Sequence, residues 1–218
     1  MNKKILFTLI PSILSSFVAP VLAFEELGEV SLKPMEIPSP LPIESGAKQH
    51  WLKHGWVTSN MNKEHTIYYE SVDAEKYSVR DSDGCSVTRM TGMFAPTLEW
   101  NNCFENDGRS GTQEIINIMG NPWPLSEKTE FQYEFAGKWD DGFGSQWHQT
   151  RKCKVDKQVR VKVSAGEFDT YKLICEDPGL KLTYWISPEL GYRVAYEKKD
   201  KSLVSNSYML ELVKVVSP

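Results

Sequence analysis

Turn-forming clusters recur along the chain at short intervals, and that spacing limits what can lie between them. Ser82-Asp83-Gly84, Asn106-Asp107-Gly108, Asp140-Asp141-Gly142, Asp177-Pro178-Gly179 and Ser187-Pro188-Glu189-Leu190-Gly191 all hold residues that accept tight turns or positive φ. Between the turns lie short segments rich in β-branched and aromatic residues: Gly55 to Val57, Thr66 to Tyr69, Lys76 to Arg80, Cys85 to Met90, Gln113 to Met119 and Glu130 to Phe135. The pattern continues through Trp147 to Val155, Gln158 to Val163, Phe168 to Cys175, Leu180 to Ile186, Tyr192 to Lys198 and Tyr208 to Val216. No long stretch keeps a 3.6-residue period; Thr112 to Met119 could form a short helix, but Ile115, Ile116 and Ile118 suit a strand equally. The spacing predicts an all-β fold: an antiparallel, strongly curved sheet or partial barrel with hairpin connections.

The N-terminus reads differently. Lys3 and Lys4 precede an apolar run from Ile5 to Val18, and Val21-Leu22-Ala23 offers the small residues of a cleavage site, so residues 1–23 are expected to be a secretion signal. Losing two lysines from a chain with 25 Lys+Arg and 29 Asp+Glu makes the remainder more acidic than the formal −4 of the whole. That disfavours a general attraction to nucleic acid or to an anionic membrane surface. No second long apolar segment follows, so no transmembrane segment is expected. Residues 24–48 carry Pro34, Pro38, Pro40 and Pro42 and read as a Pro-rich extended arm or linker. The rest, 49–218, is expected to be one all-β domain, with an N-terminal part over 49–122 and a second part over 123–218.

Cys85, Cys103, Cys153 and Cys175 are an even set behind a secretion signal, which points to disulfides and a periplasmic or secreted location. Three pairings are possible. The sequential one, Cys85 with Cys103 and Cys153 with Cys175, is favoured by strand parity. Val155, Val159, Val161 and Val163 share the parity of Cys153, as Tyr171 and Leu173 share that of Cys175, and a hairpin turning at Ser164-Ala165-Gly166 would bring those faces together. No C-x-x-C occurs, and His50, His54, His65 and His148 stand at no ligand spacing from the cysteines, so no metal site is expected.

The run Val161-Lys162-Val163-Ser164-Ala165-Gly166-Glu167-Phe168-Asp169-Thr170-Tyr171-Lys172 is followed by Tyr184-Trp185-Ile186-Ser187-Pro188-Glu189-Leu190-Gly191, with Val194 in the next strand. This resembles an uncharacterised family of bacterial envelope domains with the pattern V-x-V-x-A-G-x-F-x-T-x-K and then Y-W-x-x-P-E-L-G. Asn121-Pro122-Trp123-Pro124-Leu125 is similar to the segment that often opens them. The resemblance covers about Trp123 to Val216 and implies an antiparallel half-barrel like those of envelope ligand carriers. It brings no catalytic residue with it.

Familiar chemistries are missing. There is no G-x-S-x-G elbow, no phosphate-cradling glycine motif and no cofactor fingerprint, so no cofactor is expected. Ser110 in Gly108-Arg109-Ser110-Gly111 reads as turn chemistry. His148 beside Trp147 could act as a base, and Asp81-Ser82-Asp83-Gly84 imitates a calcium loop whose later ligands fail.

The seven tryptophans stand out, several beside polar or Gly-rich turns. Trp139 and Trp147 flank the loop holding Asp140 and Asp141, which could receive a sugar ring or another amphipathic ligand. The expected function is therefore non-catalytic: binding of an envelope lipid, glycan or protein partner. Trp139, Trp147, Tyr184 and Trp185 would supply contacts at the concave face, with Asp140 and Asp141 at its rim. Two other readings stand beside it: an envelope glycan hydrolase using carboxylates among Glu134, Asp140 and Asp141, and an assembly protein docking through its Pro-rich arm.

Overall fold

A computed structural model describes residues 24–36, 43–55, 62–91, 97–103, 110–140 and 142–218. The residues expected to form the secretion signal, the arm's Pro38, Pro40 and Pro42, the Asn106-Asp107-Gly108 turn and Asp141 lie outside them. Among the described residues are thirteen strands: β1 (Glu25–Glu29), β2 (Lys48–Gly55), β3 (Lys63–Val72), β4 (Lys76–Asp81), β5 (Ser86–Met90), β6 (Glu99–Asn101) and β7 (Gly111–Gly120). They continue as β8 (Glu130–Trp139), β9 (Gln146–Val163), β10 (Gly166–Glu176), β11 (Leu180–Ser187), β12 (Tyr192–Asp200) and β13 (Tyr208–Val216).

From β2 to β13 every strand pairs antiparallel with its neighbour in sequence, and β13 then pairs with β2, from Tyr208↔Gly55 to Val216↔Lys48. Twelve strands therefore close into an up-and-down barrel. This corrects the partial barrel expected from the sequence. The closing seam joins segments more than 150 residues apart, which no local pattern reports, and of the first partner only Gly55 was read as strand.

Curvature comes from residues left over in the ladders. Register shifts leave Glu70, Ile116, Asp156, Val194 and Val213 without a direct partner in their ladders, and each bulge bends its strand. The bulge at Asp156 also corrects the parity argument. Cys153 and Val155 face Cys175 and Leu173, whereas Val159 faces Thr170. Opposed residues share a face, and 170 and 173 differ by an odd number, so Val159, Val161 and Val163 point away from the side that Cys153 occupies. The predicted pairing itself is present: Cys85–Cys103 and Cys153–Cys175 are both disulfides, the second bridging a directly opposed pair.

The two ends of the barrel differ. One is a packed core in which Trp51, Tyr133, Tyr171, Leu125, Leu173, Ile186 and Leu212 are almost wholly buried. The described part of the arm lies against this end. Strand β1 adds to the half of β9 that β8 does not reach, Tyr171 donates its hydroxyl hydrogen to the Lys33 carbonyl, and Met35 exchanges backbone hydrogen bonds with Leu125 at 2.9 and 2.8 Å. Glu26 anchors the strand, accepting from Lys157, from Lys172 at 2.8 Å and from the Trp185 indole at 3.1 Å. The opposite end is hollow.

Candidate functional site

The hollow end is built by parity. In β8 the inward positions run Tyr133, Phe135, Gly137, Trp139, and opposite the first three in β9 stand Arg151, Gln149 and Trp147. The alternate residues Glu130, Gln132, Glu134, Lys138, Lys152 and Lys154 face outward and give this wall a polar exterior, unlike the apolar band of a lipid-facing barrel. Among the described residues no helix is long and apolar enough to cross a membrane.

Side chains from every strand of the ring except β10 line a lumen of about 580 Å³, within the roughly 300–1,000 Å³ span of small-ligand sites. Its walls are aromatic. Trp100, Trp139 and Trp147 form a cluster with ring centroids 5.1–5.7 Å apart. Two glycines make room for it: a Cβ at Gly111 would meet Trp100 Cζ2 at 2.3 Å, and one at Gly137 would meet Trp147 Cζ2 at 2.2 Å. On the far wall Tyr184, Tyr196 and Tyr208 stand side by side with tilted rings, their centroids 5.2 and 5.9 Å apart, and Tyr69 stacks on Tyr77 at 5.8 Å.

Basic residues are threaded among the rings. Lys53 lies 4.4 Å from the Tyr208 ring centre, and Arg193 sits 4.9 Å from Tyr196 and 5.6 Å from Trp51, distances at which a cation is drawn to the ring face. Arg151 is nearly buried and is held by Asp177: its Nε donates at 2.8 Å, its Nη2 donates to the same oxygen, and Nη1 reaches the Tyr133 hydroxyl at 3.3 Å. The second Asp177 oxygen takes the backbone N–H groups of Gly179 and Leu180. Burial alone would lower the Arg151 pKa, and interaction with Tyr133 and Asp177 turns the shift upward, so the guanidinium stays charged. Burial likewise pushes the Tyr69 and Tyr133 hydroxyls well above their ordinary value and keeps them neutral.

Arg193 reaches the lumen because of a bulge. Ile186 opposes Arg193 while Trp185 opposes Ala195, which leaves Val194 over and puts Arg193 on the same face as Tyr196, three residues on. Simple alternation would have sent it outward.

The residues singled out from the sequence divide. Trp139, Trp147 and Tyr184 line the lumen. Asp140 is exposed at the β8–β9 turn, where its N–H bonds to the Ser110 carbonyl, and Asp141 lies outside the described residues. Trp185 faces away from the lumen: it opposes Lys172 on the other side of the sheet, is 3% exposed, and packs edge-on against Phe24 at 4.6 Å. Neighbours in a strand point to opposite faces, so Tyr184 and Trp185 cannot share a concave surface.

The carboxylates proposed for hydrolysis are separated too. Glu134 is on the outer face, 2.7 Å from His148, across the wall from Trp139 and Trp147. The calcium-like Asp81 instead accepts the N–H groups of Asp83 and Cys85, both at 2.9 Å, and fixes a turn. Asp81 and Asp83 each lie 3.8 Å from a nitrogen of His65 at the lumen wall. Among the described residues no group of His, Cys, Asp or Glu is arranged to hold a metal.

The sequence reading missed Arg89, Arg151, Arg193, Lys53 and the tyrosines other than Tyr184. Their signal is an inward position occupied by a basic or phenolic residue, recognisable only once the register is known.

Fold and site together define a closed antiparallel β-barrel with one end packed and the other open as an aromatic, basic lumen. No family model matches the chain, and no curated protein does. Among solved structures, the chain is similar to a hypothetical lipoprotein, YmcC, from Escherichia coli (K12), at 6% identity and a TM-score of 0.45, over 80% of this chain and 88% of that one.

Proposed function

We propose that the protein is a non-catalytic binding module whose lumen takes an amphipathic ligand, a lipid or a glycan. The observation that carries this reading is the hollow half of the barrel, where about 580 Å³ is walled by indole and phenol rings instead of being filled by aliphatic side chains. Interiors of this kind pack to crystal density unless the space is used. Ring faces give apolar area while hydroxyls and cations give orientation, the mixture that small-ligand sites employ.

Two disulfides favour an oxidising compartment, and with the signal-like residues 1–23 they support a periplasmic or secreted site of action. The ligand would then be one met in the envelope.

The test is a titration of the oxidised protein with envelope lipids, glycans and peptidoglycan fragments, following tryptophan emission and melting temperature on the same samples. Trp100, Trp139 and Trp147 lie in the wall, so occupancy should shift emission saturably and raise the melting temperature. Filling the lumen with Val87→Trp should abolish the response while the protein stays folded. An undiminished response in that variant would place binding elsewhere and refute the reading.

A further inference from the structure

Three of the described arginines pair with a carboxylate, Arg80 and Arg160 in the open and Arg151 enclosed. Arg80 pairs with Glu70, Arg151 with Asp177 and Arg160 with Asp169. Among the described residues two arginines break the pattern, Arg89 and Arg193, and both line the lumen. Neither has a carboxylate within ion-pairing distance. Arg193 is met by the faces of Trp51 and Tyr196. Arg89 has less: its Nε is buried and has no hydrogen-bond partner.

Arg89 opposes Tyr77 across the β4–β5 ladder, and Tyr184, Tyr196 and Tyr208 line the same lumen from the far wall. Tyr69 feels both Arg89 and Arg193. The other charged groups of the lining are Lys53, Lys198, Arg151, Asp81 and Asp83, with His65 between the two aspartates. Arg151 is neutralised by Asp177 and Asp83 is bonded to Lys63, while Asp81 keeps its charge and accepts backbone N–H groups in its turn. In the lining, cations outnumber carboxylates five to two, tyrosine hydroxyls supply hydrogen-bonding groups, and the Nε of the Arg89 guanidinium has no hydrogen-bond partner. Low-dielectric walls strengthen such a field, and an arginine fork matches carboxylate or phosphate oxygens.

We infer that the ligand of the lumen carries an anionic group, a carboxylate or a phosphate, and that this group docks on Arg89 with Arg193 beside it, while the body of the ligand lies against the tyrosine and tryptophan rings. This rests on the lumen being the binding site and adds the charge and the anchor.

A pair of fluorescent probes isolates the charge. N-phenyl-1-naphthylamine and 1-anilinonaphthalene-8-sulfonate share one aromatic framework, and the second bears a sulfonate. The native protein is expected to bind the anionic probe about ten-fold tighter or more than the neutral one, and Arg89→Met to remove that preference while leaving the neutral probe bound. Near-UV circular dichroism of the variant checks that it is folded, because the sulfonate probe also binds loosened proteins. Equal affinity of the native protein for both probes, or loss of both in a folded Arg89→Met protein, would overturn the anion site and leave the lumen reading standing. Binding of neither probe would overturn both.

A second measurement needs no variant: displacement of the bound anionic probe by dodecanoate, dodecyl phosphate and dodecanol. Displacement by the acids and not by the alcohol supports the site, and the stronger acid says whether carboxylate or phosphate is the better fit. Displacement by the alcohol as strong as by both acids would refute it.

Discussion

Gly137 stands directly opposite Trp147 across the β8–β9 ladder, and the indole fills the space that a side chain at 137 would need. A strand glycine normally costs stability, and here the ring that covers it recovers part of the loss while giving the lumen a flat wall. Gly137→Ala forces the ring to move in a packed cluster, an overpacking change of about 1–3 kcal/mol. The urea midpoint should fall and the near-UV signal of the tryptophan cluster should change. An alanine variant with an unchanged midpoint and spectrum would mean that the indole does not rest on Gly137.

The Arg151–Asp177 pair is enclosed, and its partners are committed on every side, so removing one charge strands the other. Asp177→Asn is expected to destabilise the barrel by about 3–5 kcal/mol. Asp169→Asn removes an equally well-formed pair with Arg160, but in the open, and should leave the melting midpoint almost where it was. Thermal unfolding of the two variants side by side makes the comparison; equal losses would contradict the burial argument.

On the face opposite the lumen, His54 Nε2 lies 3.0 Å from Glu211, whose other oxygen accepts the Ser164 N–H at 3.0 Å, and His54 Nδ1 lies 2.7 Å from Asn62. The bond to Glu211 raises the His54 pKa above its ordinary 6.5 in spite of partial burial. A raised pKa means that the charged form is favoured by folding. The stabilisation is complete below the ordinary value and disappears as pH climbs through the raised one. Urea midpoints of the native protein and His54→Gln, taken between about pH 5 and pH 9, should differ most at the acid end and converge at the basic end. Curves that run parallel would exclude the link.

Glu26 has the opposite sign. Burial works to raise its pKa, and the bonds from Lys157 and Lys172 outweigh it and hold the carboxyl below its ordinary 4.5. Its hold on β1 is therefore present above that value and is lost as pH falls through the lowered one. Amide hydrogen exchange in residues 25–29 should quicken under acid before the barrel itself loosens, and Glu26→Gln should show the quickening at neutral pH. Protection that survives in the glutamine variant would show that Phe24 and the β1–β9 ladder suffice.

Much of the fold was legible because hairpins are local. The turns at Ser82 to Gly84, Asp177 to Gly179 and Ser187 to Gly191 separate the strands that their residues announced. Twelve segments were read where the described residues hold thirteen strands, with β1 taken as part of the arm. β9 was divided at Asp156 into two segments, and β6, three residues long, was passed over. Strand β2 was seen only at its last residue, because its inward positions Gln49, Trp51 and Lys53 do not read as an apolar face. That is the general difficulty with this site. A wall facing a polar lumen loses the alternation by which half-buried strands are recognised, so the strands that build the site are the ones whose inward residues are hardest to assign. Trp139 and Trp147 were found because indoles beside turns are conspicuous. Arg193 was not, because a bulge decided its direction.

The seam between β2 and β13 has a consequence for the order of assembly. Every other ladder of the ring can form as soon as two successive strands have been made, whereas this one waits for Tyr208 to Val216, the last strand of the ring in chain order. Until then the nascent sheet is open, with the edge of β2 bare at one side and the newest strand bare at the other. Open edges pair with whatever strand is near. The lumen comes into being only once β13 has been made, and a chain cut short before Tyr208 would be a curved ribbon with nothing to enclose.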